Sequence, residues 1–304
     1  MKSKYLFYMV LPALCLGLSC SKKLGVEAPT LNVTVTNGQL INGVSTFKLG
    51  ETVQFAFSGY AANVSVYTGD AGRNYDYRER TAVSGKPQLS FTSLAQFGTQ
   101  SNTLQVLAIN GLPKLDAQSA LAANWVDITG RATLSTGTAI ASGTIDLSDL
   151  VKSTSDSLFI AFKYSGKTGS TQRTWTITNF AVNTILPEGP QVISNLANDN
   201  PYWTKFSEGT SAANWTTTTA QLQVVGGTAT APDNVSWIIS KPLFVSRVAP
   251  DWAVGLKNIG NANLTTYNYK YLTVGKYKAT FIIFNNSIDE TSKVIKEIPI
   301  EIVP

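Results

Sequence analysis

The chain has 304 residues, 43% hydrophobic and 14% charged, with a formal net charge of +5. This composition excludes disorder, which needs low hydrophobicity together with high charge. The absence of histidine further excludes Ser–His and Cys–His nucleophile pairs and His-ligated zinc or haem.

At the start of the chain, Lys2 and Lys4 precede an apolar run from Tyr5 to Leu18. The run is shorter than the about 20 residues that span a bilayer, and residues 1–19 read as a secretory signal. Leu16-Gly17-Leu18-Ser19-Cys20 resembles a bacterial lipobox, with Gly17 where Leu is usual. Cys20 is therefore the expected lipidation residue, and Cys15 leaves with the signal; an ordinary signal peptide that contains a cysteine is the alternative. One acylated cysteine leaves no disulfide framework. Residues 20–29 form a tether. The expected location is the outer membrane, lipid-anchored, on its surface or periplasmic face. Orientation stays open because Lys22 and Lys23 stand where surface lipoproteins of the Bacteroidetes usually carry acidic residues. Losing Lys2 and Lys4 lowers the charge from +5 to +3. No basic run exists to mark a nucleic-acid partner, and membrane contact is expected through the lipid anchor only.

Beyond the tether, period two dominates. Leu31, Val33 and Val35 alternate with polar residues, as do Val53, Phe55 and Phe57, and later Ile298, Ile300 and Ile302. Such alternation predicts strands with one buried face. Asp116 to Trp125 has the Ala-rich character of a short helix. Leu158 to Phe162 is continuously apolar and predicts a central strand. The run Trp175, Ile177, Phe180, Val182 slips by one at Thr178-Asn179, which predicts a β-bulge. Pro299 predicts an edge or a bulge because it cannot donate to a ladder. Together these features predict an all-β protein of sandwiches.

Two segments far apart in the chain read as halves of one domain. GETVQFAFSGYAANVSVYTGDAG from Gly50 resembles the opening of a PKD-type immunoglobulin-like domain. YNYKYLTVGKYKATFIIFNN from Tyr267, with KVIKEIPIEIV after it, resembles that family's closing half. Neither half holds the about seven strands of a closed sandwich. The expectation is one Ig/PKD-like domain built from both chain ends, 30–85 and 246–304, with 86–245 inserted; two independent domains are the alternative. The insert, with LFIAFKY, TWTITNFAV and Ser236-Trp237-Ile238-Ile239-Ser240-Lys241-Pro242, resembles a choice-of-anchor J jelly roll. The last motif comes first in that family, so the insert reads as circularly permuted. Phe55-Ala56-Phe57-Ser58-Gly59, Tyr67-Thr68-Gly69-Asp70-Ala71-Gly72 and Tyr75-Asp76-Tyr77-Arg78-Glu79-Arg80 resemble the motifs of DUF5017, a Bacteroidetes lipoprotein family. Asp70 stands where that family usually has Glu. The resemblance implies a compartment and a fold, and by association with glycan-uptake systems it implies carbohydrate binding.

The residues bear on three classes of chemistry. Asp70, Asp76 and Glu79 supply carboxylates for a glycosidase, but Arg73, Arg78 and Arg80 stand ready to pair with them, so no catalysis is expected. No cofactor is expected either. Calcium is the one metal that oxygen donors such as Asp127, Asp146 and Asp149 would suit, in a structural role. Among the tryptophans, Trp125, Trp175 and Trp237 lie in apolar runs and are expected in the core, whereas Trp203, Trp215 and Trp252 lie in polar stretches. The expected ligand site is therefore Tyr202, Trp203 and Trp215 with Asn198, Asp199 and Asn200. Tyr75, Asp76, Tyr77 and Arg78 are the second choice. The expected partner is a glycan, or alternatively a partner envelope protein on which a structural or adhesion module docks.

Overall fold

A computed structural model describes residues 25–209 and 215–304. The expected signal segment and the expected lipidation residue, Cys20, lie outside the described residues. The chain divides into two compact units, one formed by the N-terminal part up to Asp76 together with Trp252–Pro304, the other by Tyr77–Asp251.

The first unit opens with β1 (Asn32–Val35), β2 (Gln39–Ile41), β3 (Val44–Lys48), β4 (Val53–Ser58) and β5 (Asn63–Tyr67). The second unit follows with β6 (Lys86–Gln96), β7 (Leu104–Asn110), the short helix α1 (Ala117–Ala122), β8 (Val126–Asp127), β9 (Ile140–Ala141) and β10 (Ile145–Asp146). It continues with β11 (Leu158–Gly166), β12 (Thr174–Leu186), β13 (Gly189–Asn195), α2 (Leu196–Asp199), β14 (Thr204–Glu208), β15 (Trp215–Thr217), β16 (Gln221–Val224) and β17 (Asn234–Ile239). The chain then returns to the first unit for β18 (Val254–Lys257), β19 (Thr266–Tyr269), β20 (Gly275–Asn286) and β21 (Thr291–Val303).

Two sheets face each other in the first unit, ordered β1-β4-β19 and β18-β5-β20-β21-β3-β2. Both need strands from both chain ends, since β4 pairs with β19 and β5 lies between β18 and β20. Val53, Phe55 and Phe57 point inward from one sheet onto Val64, Val66, Phe281, Ile283, Ile300 and Ile302 of the other. Phe281 meets the rings of Phe55 and Phe57 edge-on, with centroids 5.0 and 5.5 Å away, the geometry that aromatic quadrupoles favour. Pro299 sits on a stretch of β21 whose β3 side is open, because that pairing begins only at Ile300↔Ser45.

The second unit is also a sandwich. One sheet has the path β10-β6-β12-β16-β15, with β13 on β12 and β9 on β6; the other runs β14-β17-β11-β7-β8. The slip at Thr178-Asn179 is a bulge: the β12–β6 register shifts between Thr178 and Ala181, and Asn179 takes a left-handed φ of 51°. β11 lies at the centre of its sheet and is buried on both faces. Leu158, Ile160 and Phe162 enter the sandwich core, whereas Phe159 and Ala161 pack with Leu107, Trp237 and Ile239 under Ala120 of α1. Double burial explains why this strand reads as an unbroken apolar run. Asp116 caps α1 by accepting from Ser119 N at 2.8 Å.

The second unit begins earlier and ends later than 86–245. Residues 77–85 pair with 245–251 as a stem: Val83 N donates to Ser246 O at 2.8 Å, Val248 N to Thr81 O at 3.1 Å, and Asp251 N to Tyr77 O at 3.2 Å. Arg80 fastens the stem by pairing with Glu188 at 2.5 Å and Asp251 at 3.4 Å. Among the described residues no helix is long and apolar enough to cross a membrane.

Candidate functional site

The loop from Asn195 to Trp203 is built by its own polar residues. Asn195 Oδ1 accepts from Asn198 N at 2.9 Å and caps the single turn of α2. Asp199, only 5% exposed, accepts from Ser194 Oγ at 2.5 Å and from the Lys241 ammonium at 2.6 Å. These bonds satisfy a carboxylate that would otherwise be costly to bury. Tyr202 is left projecting, 58% exposed, with its ring centroid 5.6 Å from the Lys241 ammonium. Asn198 is exposed and Asn200 half-buried.

The expected placement of the two tryptophans needs correction. Trp203 is 8% exposed and packs edge-on against Phe180 at 5.1 Å; Trp215 is 1% exposed, beside Phe162, with Nε1 donating to Ser236 O at 3.3 Å. Both belong to the sandwich core, so neither ring offers a free face to a ligand. Their burial follows from facing apolar strands across the sandwich, whatever the polarity of their chain neighbours. Trp252, by contrast, is 65% exposed and lies under the Arg73 guanidinium at 4.5 Å.

Lys241 also lines a groove of about 390 Å³ with Gln191, Val192, Pro242, Phe244 and Arg247. Within this groove Phe244 is 37% and Val192 59% exposed. The Arg247 guanidinium lies flat over Phe244 at 4.2 Å, and Gln191 Nε2 anchors the wall by donating to Arg247 O at 3.0 Å. Sequence reasoning missed Phe244 and Arg247. Their signal lay in Leu243-Phe244-Val245, where the two aliphatic residues are buried and the ring between them must face outward. A larger groove of about 700 Å³ in the first unit is lined by Asn37, Ile41, Lys48 and Glu51, but its one ring, Phe47, is 2% exposed.

The second-choice residues divide between the units. In the first, Tyr75 meets Tyr67 edge-on at 5.4 Å and Asp76 pairs with Lys278 at 3.0 Å. In the second, Tyr77 lies under the Arg80 guanidinium at 3.9 Å and Arg78 pairs with Glu79 at 3.2 Å. The remaining acid, Asp70, accepts from Thr68 Oγ1 and from Tyr269 Oη, the latter at 2.7 Å. Burial, helped by the Asp70 bond, pushes the Tyr269 phenol up to about 12. The turn depends on Gly69, which has φ +89°; an added Cβ would meet Lys278 N and O at 2.8 Å.

The aspartates suited to calcium, Asp127, Asp146 and Asp149, have protein partners. Arg131 grips Asp149 through two bonds of 2.7 Å, which hold its carboxyl below the usual carboxylate range against a burial cost. Asp146 is lowered by bonds from Ser148. Asp127 accepts from Thr129 N at 2.9 Å and Gln105 Nε2 at 3.0 Å. No group of three or more metal-ligating side chains is found among the described residues.

No curated protein and no solved structure matches the chain. A family described as a domain of unknown function (DUF5017) matches residues 19–203, which take in the opening strands of the first unit and most of the second. The FAFSG strand, the Gly69-Asp70 turn and the Tyr75–Arg80 segment all fall within that span, and the chain belongs to the DUF5017 family.

Proposed function

We propose that the protein is a non-catalytic cell-envelope lipoprotein of Bacteroidetes type, anchored through Cys20 in the outer membrane, whose second unit binds a glycan. In this reading the first unit is Ig/PKD-like and the second a circularly permuted jelly roll of the choice-of-anchor J kind. The observation that supports binding is the groove bounded by Lys241, where the exposed rings of Tyr202 and Phe244 stand beside cationic and amide groups. Flat amphipathic rings lose little freedom on contact and suit the C–H faces of a sugar. Amide and guanidinium groups nearby can hydrogen-bond its hydroxyls. In this reading the carboxylates near Asp70 serve the fold rather than hydrolysis: Asp70 accepts from Tyr269 Oη, Asp76 pairs with Lys278 and Glu79 pairs with Arg78.

A glycan array with the lipid-free chain tests this reading. Tyr202→Ala and Phe244→Ala are each expected to weaken binding by about 1–3 kcal/mol, roughly 5- to 150-fold. Failure to bind any glycan would leave docking on a partner protein as the better account. Equal binding by both variants and the parent chain would move the site away from this groove.

A further inference from the structure

Three turns of the first unit close at one end. β4 leads into the turn at Tyr60, β18 into Asn258–Asn261 and β20 into Ser287–Glu290. The registers Lys257↔Val64, Ile283↔Val64 and Phe284↔Asn63 set these ends side by side. The chain also enters the unit here: Thr30 N and Leu31 N donate to Tyr60 O at 3.0 and 3.1 Å, and Asn285 Nδ2 donates to Glu27 O at 3.0 Å.

Each turn holds a large apolar residue out in water. Ile288 is 93% exposed, Ile259 71% and Tyr60 48%. The two isoleucines do not close their turns. Asn258 and Asn261 close one, with Asn258 N donating to Asn261 Oδ1 and Asn261 N to Asn258 O. Ser287 closes the other by accepting from Asp289 N and Glu290 N. A polar residue would serve the fold equally well at either tip. Beside Tyr60 lies Lys257, 8% exposed, whose ammonium donates to the carbonyls of Ala62 and Asn258 at 3.2 Å each and stands 5.5 Å from the Tyr60 ring.

We infer that this end is a bilayer-contacting face, with Ile259, Ile288 and Tyr60 seated among lipid headgroups. The inference rests on acylation of Cys20. Glu27 follows Cys20 by seven residues, a reach of at most about 25 Å, so an anchored chain holds this end close to the membrane. The opposite end of the unit also exposes apolar side chains, Leu49 at 47%, Val274 at 51% and, most of all, Leu272 at 84%. Leu272 is separated from Ile288 by the twelve residues of β20, about 40 Å of strand, and no tether brings it to the lipid. A Tyr ring is a side chain that settles at a membrane interface, apolar body toward the acyl chains and polar end in water, and the buried Lys257 ammonium braces the turns beneath it. Asp289 and Glu290 beside Ile288 keep the contact within the hydrated headgroup layer.

The test uses the full lipoprotein, reconstituted in phosphatidylethanolamine–phosphatidylglycerol vesicles. Bimane is attached to Ile288→Cys, Ile259→Cys or Leu272→Cys, and emission is read with and without lipids spin-labelled near the headgroup. The expected result is at least twofold quenching at 288 and 259 and none at 272. Equal emission at 288 and 272 overturns the inference while leaving the anchor intact. The anchor is read separately by the mass of the N-terminal peptide, and an unmodified Cys20 there removes the basis for both.

Discussion

Replacing Trp215 by alanine should unfold the second unit many degrees early, even though its chain neighbours are polar. The ring is 1% exposed, lies 6.3 Å from Phe162, and bonds Ser236 O through Nε1. A buried aromatic removes about 150–250 Å² from water, a gross gain of about 4–6 kcal/mol at about 25 cal/mol per Å². Alanine keeps part of that contact and leaves a cavity, so the expected loss is about 3–5 kcal/mol. For a unit of this size each kcal/mol lowers the melting temperature by about 2–4 °C, which gives a fall of about 6–20 °C. Scanning calorimetry of the full chain reads it, with Tyr202→Ala in the same unit as the control. That exposed ring should cost no more than about 0.5 kcal/mol. A fall below about 2 °C for Trp215→Ala would refute its assignment to the core.

Gly69→Ala should destabilise the first unit by at least about 1 kcal/mol, through its left-handed φ and the collision with the Lys278 backbone; an unchanged denaturation midpoint would contradict this. Alkaline pH should also weaken the fold. Burial pushes the Tyr164 phenol up to about 12 and raises Tyr271 further, and Tyr269 stands at about 12. Unfolded phenols ionise near pH 10, so the stability these groups contribute is whole below pH 10 and is lost as pH rises toward 12. A phenolate absorbance titration should show a late wave that coincides with loss of near-ultraviolet circular dichroism; one early wave with the fold intact would count against it. Ending the chain at Asp251 removes β18 to β21 and should abolish the first unit's melting transition while the second unit's remains. Persistence of both transitions would show that the first unit closes without its C-terminal strands.

Much of the fold could be read from side-chain period alone. Val53, Phe55 and Phe57 point inward as their alternation requires, and the phase slip at Thr178-Asn179 is a bulge. Alternation fails where a strand is too short to show it. Trp215 begins a strand of three residues whose outward neighbour Thr216 supplies the polar signal, while β16 and the facing sheet bury the ring. Limits between units were blurred for a related reason. Residues 77–85 lack a strong pattern because they are held by backbone bonds and by Arg80 to a segment far along the chain. The groove beside Lys241 was half legible: the loop with Tyr202 stood out by composition, but Phe244 and Arg247 were masked within an apolar run.

The first unit's discontinuity dictates an order of events when the chain emerges vectorially from the ribosome or the export channel. β4 appears early with Phe55 and Phe57 displayed along one face, yet its neighbour β19 and the facing β20 lie beyond all of Tyr77–Asp251. At about 5–20 residues per second that intervening stretch takes roughly 10–35 s to appear. By the end of this interval the second unit has every strand it needs, whereas the early strands, with only β1 on β4 and β2 on β3, wait as a half-paired apolar template of the kind that invites misassociation. Maturation of the first unit is therefore gated by arrival of the last fifty residues, and an escort that shields β4 and β5 during the wait would act on the slowest step.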